Sequence, residues 1–466
     1  MRKTLILILL LTLLSAGTMA YAAFDLYPLR NQVAVFEITE LYYDRDTFGD
    51  PSAADGLTAT LKNDYYEAMR WNTKVHFGDA LPETETEYTL QLPLKKTTNY
   101  NRTGNEIRIR ATVSNALDGA DVLKDLAENL KPGEYRSQKI YLHEYTDYYS
   151  IEADLFFPHG SWQWRPDGRT TIDNEMEAAL KKLFDENFLF PIGENVSVDG
   201  HAENKEYGPS YGYAINSSSE GFTLTIKESF AGDSAYFAFD SKAEGYRSPN
   251  LSHQLDASYL PLGYGIYCLT VPEDGSQPSL INVCPLEIGS TVLKLTKEGS
   301  GERILAHTVE DGKYTVTVID TTSNTVSQRL ELTDFPANSD AWATYEAEGC
   351  TAVVLSHKLE TRQLILLTCD DNGKYQIIWN HAVPSDQSPM LSYHDGSFKD
   401  YYYDYSPVIA WNGQYLAFGL SEEYRSGFDL ALYDANGLVY SGRYNTSLNF
   451  WPVGPDKETP LTLEWE

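Results

Sequence analysis

The sequence predicts a mainly β protein, and three observations carry that reading. Short alternating or β-branched runs recur along the whole chain, each broken by turn residues. A unit of several short strands, one of them ending in Asp, is repeated in the second half. The composition, with 34 Tyr, 18 Phe and 8 Trp, supplies core for a folded chain in spite of its acidity.

The chain opens with Met1-Arg2-Lys3, an apolar run over 5–14, and small residues ending Ala20-Tyr21-Ala22-Ala23. A basic start, a short apolar stretch and an A-x-A site make residues 1–22 a signal peptide, with cleavage expected after Ala22. Residues 4–23 carry no charge and approach the length that spans a bilayer, so a retained N-terminal membrane anchor is the alternative. No cysteine follows that would take a lipid, and no later stretch is apolar enough to cross a membrane. The mature chain is expected to be extracytoplasmic, secreted or associated with the cell envelope.

Over 23–466, strands are expected at 33–38, 106–113, 139–144, 151–157, 222–227 and 235–239, and again at the end over 461–465. Two short helices interrupt them, within insertions near 119–131 and 171–189. In the first, Val122, Leu123, Leu126, Ala127 and Leu130 share a face before the stop Lys131-Pro132-Gly133. In the second, Met176, Leu180, Leu183, Phe184 and Phe188 recur at helical spacing, with Asp173, Glu175 and Glu177 toward the positive N-terminal end.

The repeat is clearest over 300–445. Strands 314–320, 363–369 and 428–434 end at or beside Asp320, Asp370 and Asp434, each followed by a polar turn and another strand and preceded by one more. Each aspartate is expected to accept hydrogen bonds from the backbone amides of its turn. Antiparallel units of three or four strands at this spacing are the signature of propeller blades. The fold class expected is therefore a β-propeller-like repeat of antiparallel three- to four-stranded blades with two short inserted helices. Strand 461–465 is expected to pair near 33–38. The alternative is two packed β domains joined near 200–220, where glycines and serines cluster.

The formal net charge of −31 repels phosphate backbones, so nucleic-acid binding is excluded. The cysteines are Cys268, Cys284, Cys350 and Cys369, all in the second half. Hairpin arithmetic places Cys268 opposite Cys284 and Cys350 opposite Cys369, so two hairpin-local disulfides are expected in an oxidising compartment. With no C-x-x-C pair and no flanking histidines, they do not read as metal ligands.

No catalytic constellation is legible. Ser210 sits in a G-x-S-x-G match, Gly208-Pro209-Ser210-Tyr211-Gly212, but without the strand-to-helix turn that would expose a nucleophile. The nine histidines are scattered, and the acidic loops lack an EF-hand ligand pattern. The sialidase box finds its nearest counterpart at 369–376, which keeps only an Asp and a Gly. No cofactor and no metal are expected. The candidate ligand- or partner-binding residues are aromatic: Tyr401, Tyr402, Tyr403 and Tyr405, and Trp162 with Trp164, since such rings join a large apolar face to a polar edge. Tyr145, Tyr148 and Tyr149 form a third cluster. The function expected is an exported, non-catalytic binding, sensing or interaction protein whose partner is a protein or glycan outside the cytoplasm. The alternatives are an extracytoplasmic hydrolase acting on glycan or peptide, and an assembly component of the cell envelope.

Overall fold

A computed structural model describes residues 15–19, 33–34, 38–41, 48–65, 69–78, 83–90, 107–111, 117, 121–164, 175–205, 207–215, 222–224, 226–239, 242–245, 253–254, 256–298, 301–335, 342–357, 361–387, 390–391, 407–421, 427–446 and 461–465. Among these, the strands form seven sheets, and every pairing between named strands is antiparallel. The chain divides into two compact units: residues 1–103 with 336–466, and the continuous stretch 104–335.

The repeat is present as four-stranded blades. One runs Thr291–Lys297, Arg303–Glu310, Lys313–Asp320 and Thr325–Asp334; the next runs Trp342–Ala347, Cys350–His357, Thr361–Cys369 and Tyr375–Pro384. A third is built on Val408–Trp411, Leu416–Ser421, Gly427–Asp434 and Gly437–Thr446. Each adds a strand that alternation alone did not show ahead of the expected three. A further four-stranded sheet, Ile226–Ala231, Ser234–Phe239, Gly265–Thr270 and Ser279–Pro285, precedes them.

The strand-end aspartates do the work expected of them. Asp320 Oδ1 accepts from the Thr322 and Ser323 amides at 3.1 and 2.7 Å, Asp370 Oδ1 from Asn372 and Lys374 at 3.0 and 2.8 Å, and Asp434 Oδ1 from Asn436 and Gly437 at 2.7 and 3.1 Å. These bonds favour the ionised carboxylate, so Asp320 and Asp370 are held below the usual carboxylate range.

The final strand, Leu461–Trp465, pairs with Leu57–Tyr65 and not with the described residues of 33–38. Val33–Ala34 lies in the same sheet but at its far edge, beyond Glu83–Leu90. The apolar alternation of Leu57, Ala59 and Leu61 decides this, because it puts them on the same buried face as Leu461 and Leu463. The described residues of 200–215 belong to one hairpin. Ser197–Lys205 and Gly208–Ile215 are a hairpin inside the 104–335 unit.

Both inserted helices lie in the 104–335 unit. The first, α1 (Val122–Ala127), buries Leu123 and Leu126. The second, α2 (Glu175–Asn187), buries Leu180 and Phe184. Phe184 packs at ring distances of 5.5 Å from Trp164 and 5.4 Å from Phe188, and Phe188 lies 4.9 Å from Phe239. Such pairs add about 0.5–1.5 kcal/mol each beyond their buried area. Asp185 on α2 accepts the Ile151 amide at 3.1 Å, which fastens the helix to strand Ile151–Phe157.

Candidate recognition surface

The aromatic pair Trp162 and Trp164 is core and offers no binding surface. Both are inward positions of strand Gly160–Trp164, and both are buried. The Trp164 indole N–H donates to the Ile151 carbonyl at 2.5 Å, while Trp162 packs edge-on to Phe157 and His159. A W-x-W alternation fits an inward face as well as an outward one, so the sequence alone could not separate them. Tyr401, Tyr402, Tyr403 and Tyr405 lie outside the described residues.

The four cysteines are free thiols, which corrects the expected disulfides. The hairpin is centred between Asp274 and Gly275, so Cys268 faces Ile281, and a bulge beyond it, between Ile266 and Tyr267, sets Cys284 across from Ile266. In the other hairpin Cys350 faces Thr368, and a one-residue step turns Cys369 to the opposite side of the sheet. Burial raises the thiols of Cys268 and Cys284 and pushes that of Cys350 up to about 12.

The described tyrosines that do reach solvent gather around one small sheet. Its strands, in order, are Gly208–Ile215, Ser197–Lys205 and Tyr135–Tyr141. One face packs on α1. Ile140, Val198 and Ala202 are buried there, and Arg136 Nη1 donates to the Leu126 carbonyl at 3.3 Å. Gly200 is needed on that face, because a Cβ at this position would stand 2.4 Å from Ile140 Cδ1 and 2.9 Å from Leu126 Cδ1.

The opposite face is set by the same registers. Tyr135, Ser137, Lys139 and Tyr141 project from one strand; Asp199, His201, Glu203 and Lys205 from the middle one; Ser210, Gly212 and Ala214 from the third. Tyr135 is 64% exposed, directly across from Glu203. Tyr141 is 38% exposed, with the Lys139 ammonium 5.6 Å from its ring centre and His143 edge-on at 6.1 Å. Tyr207, at the tip of the 197–215 hairpin, is almost wholly exposed, and Tyr145 and Tyr148 are half-exposed just beyond Tyr141. Their neighbour Tyr149 is buried, and burial pushes its hydroxyl up to about 12. The floor between the tyrosines is low: Ser210 donates to the Glu203 carbonyl at 3.5 Å, and the His201 ring lies against Gly212. Ser210 is thus a strand residue, with no strand-to-helix turn beneath it.

Chemically this face can stack apolar edges on phenol rings and exchange hydrogen bonds with a hydroxylated or amide-bearing chain. Among the described residues no group of three or more His, Cys, Asp or Glu side chains is placed to hold a metal ion. The sequence placed this strand at 139–144 and missed its start, because five consecutive exposed residues leave only Ile140 to mark an inward face.

No family model matches the chain, and no curated protein does. Among solved structures it is similar to an apocarotenoid oxygenase mutant from Synechocystis, at 9% identity over 94% of this chain and 96% of that one, with a TM-score of 0.27. It is also similar to a 6-phosphogluconolactonase-type protein from Bacteroides fragilis, at 13% identity over 89% and 100% of the two chains, with a TM-score of 0.26. A third is the β-propeller domain of Cps50 from Myceliophteria thermophila, at 11% identity over 52% and 81%, with a TM-score of 0.21. At such scores these likenesses carry no argument about activity, and the blade-type β architecture is stated from the sheets of this chain.

Proposed function

We propose that the chain is an exported, non-catalytic binding protein and that the outward face of the sheet 135–215 is its recognition surface. The observation that supports this is that Tyr135 and Tyr141 stand exposed near opposite ends of one sheet face, with Tyr207, Tyr145 and Tyr148 exposed close by, while Tyr211 is exposed on the α1 side. A rigid strand-borne face with aromatic groups set apart is suited to recognition, because little order has to be gained on binding. The acidic charge suits solubility outside the cell and turns away anionic polymers.

The test places a photo-reactive residue at Tyr135 or Tyr141, and for comparison at Ile377 in the other unit, in the full chain inside its producing cells. The expected outcome is a defined adduct from the two sheet positions and none above background from 377. Equal labelling at all three positions would overturn the assignment of the surface. Peptide mapping of the same preparation reports whether residues 1–22 have been removed.

A further inference from the structure

Resting on that recognition reading, we propose that the occupant of the face is an uncharged oligosaccharide chain lying along strand Tyr135–Tyr141.

Three features select it. The first is length. Tyr135 and Tyr141 stand on the same face of one strand, six residues apart, or about 20 Å at the usual rise. The space between them fits an extended chain of several rings better than one compact ligand.

The second is shape. Beside the tyrosines the middle strand presents the polar side chains Asp199, His201 and Glu203, and beyond it the third strand presents only Ser210, Gly212 and Ala214, so the face is polar and falls away on that side. A helix or an apolar peptide anchor would need a pocket lined with large apolar groups, and the outward positions between Tyr135 and Tyr141 are polar or small. Ring edges of a sugar can lie on the phenol faces, while its hydroxyls meet Glu203, His201 and Ser137.

The third is charge. The outward face holds Lys139 and Lys205 against Asp199 and Glu203, and Lys205 lies 3.3 Å from Glu203. The signs cancel locally, so the face offers no field to hold a charged chain, and the acidic whole opposes an anionic one.

The test uses the full chain and uncharged hexasaccharides of defined linkage: β-1,4-glucan, β-1,4-N-acetylglucosamine, β-1,4-xylan and α-1,4-glucan. A hexagalacturonate serves as the anionic counterpart, and binding is read by titration calorimetry. At least one uncharged hexamer is expected to bind, and the hexagalacturonate is not. Affinity should fall at least tenfold in Tyr135→Ala and in Tyr141→Ala, and also in Ser137→Trp, which fills the path between them. All three positions are on the surface, and a circular dichroism melt confirms that each variant folds. Binding that survives all three substitutions, binding of the anionic hexamer alone, or no binding across the panel overturns the sugar assignment. If the 135 and 141 crosslinks still give a defined protein adduct in that case, the recognition surface stands with a different occupant. If they do not, both readings fall.

Discussion

At His307 the imidazole is wholly buried in strand Arg303–Glu310, with Nδ1 2.9 Å from the Tyr314 hydroxyl and Nε2 3.4 Å from that of Thr296. Burial, with a smaller contribution from Lys294, pushes its pKa down to about 3. The unfolded chain binds a proton there near the ordinary value of about 6.5, so between these limits the unfolded state holds more protons than the folded one. Folded stability is therefore complete above pH 6.5 and declines as the pH falls toward 3. A single such group costs about 1.4 kcal/mol per pH unit across that window. His307→Gln should make the loss between pH 6.5 and pH 4 shallower by about one proton, as read by urea titrations at several pH values. An unchanged slope would show that the acid sensitivity arises elsewhere. The residue scale is also where the sequence was least legible. His307, Trp162 and Trp164 sit on strands that alternate whether a ring faces core or solvent, and only the neighbouring sheets decide which.

Among the elements, the blades were read best, because each strand carries its own evidence. A β-branched run buried on both faces, such as 313–320, ends in an aspartate that closes its own turn. The opening strand of each blade was not legible, and of the 135–141 strand only the end was read, within 139–144. In the first case the strand is separated from the repeated aspartate by another hairpin, and in the second it shows almost no apolar alternation. Register was hidden for a related reason. The centre of a turn leaves little mark in composition, and the cysteine pairings failed because both hairpins are centred earlier in the chain than the pairings require. The contact of α1 with its sheet gives the prediction at this scale. Gly200→Val should overpack against Ile140 and Leu126 and lower stability by about 1–3 kcal/mol, whereas Gly212→Ala on the opposite face should cost far less. Thermal melts of the two variants check it, and equal losses would refute the facing assigned to this sheet.

For the whole molecule, residues 104–335 form one continuous unit, and the other is assembled from residues 1–103 and 336–466. In the second of these, Leu461 and Leu463 are buried beside Leu57, Ala59 and Leu61. A chain ending at Pro460 should lose about 2–5 kcal/mol for each buried leucine, enough to melt that unit, while 104–335 keeps its cooperative transition. Hydrogen exchange resolved along the chain would show protection lost over 57–76 and kept over 226–239; protection retained at 57–76 would refute the dependence. The pairing of Leu61 with Leu461 also sets a timetable. Roughly 400 residues must be synthesised between the two strands, which takes on the order of 20–80 s at ordinary elongation rates. For that interval the strand at 57–65 is without its last neighbour and presents an unsealed edge to every other nascent chain. That edge stays open throughout synthesis, and a chain that stops anywhere before residue 461 never completes the sheet to which Leu57–Tyr65 belongs.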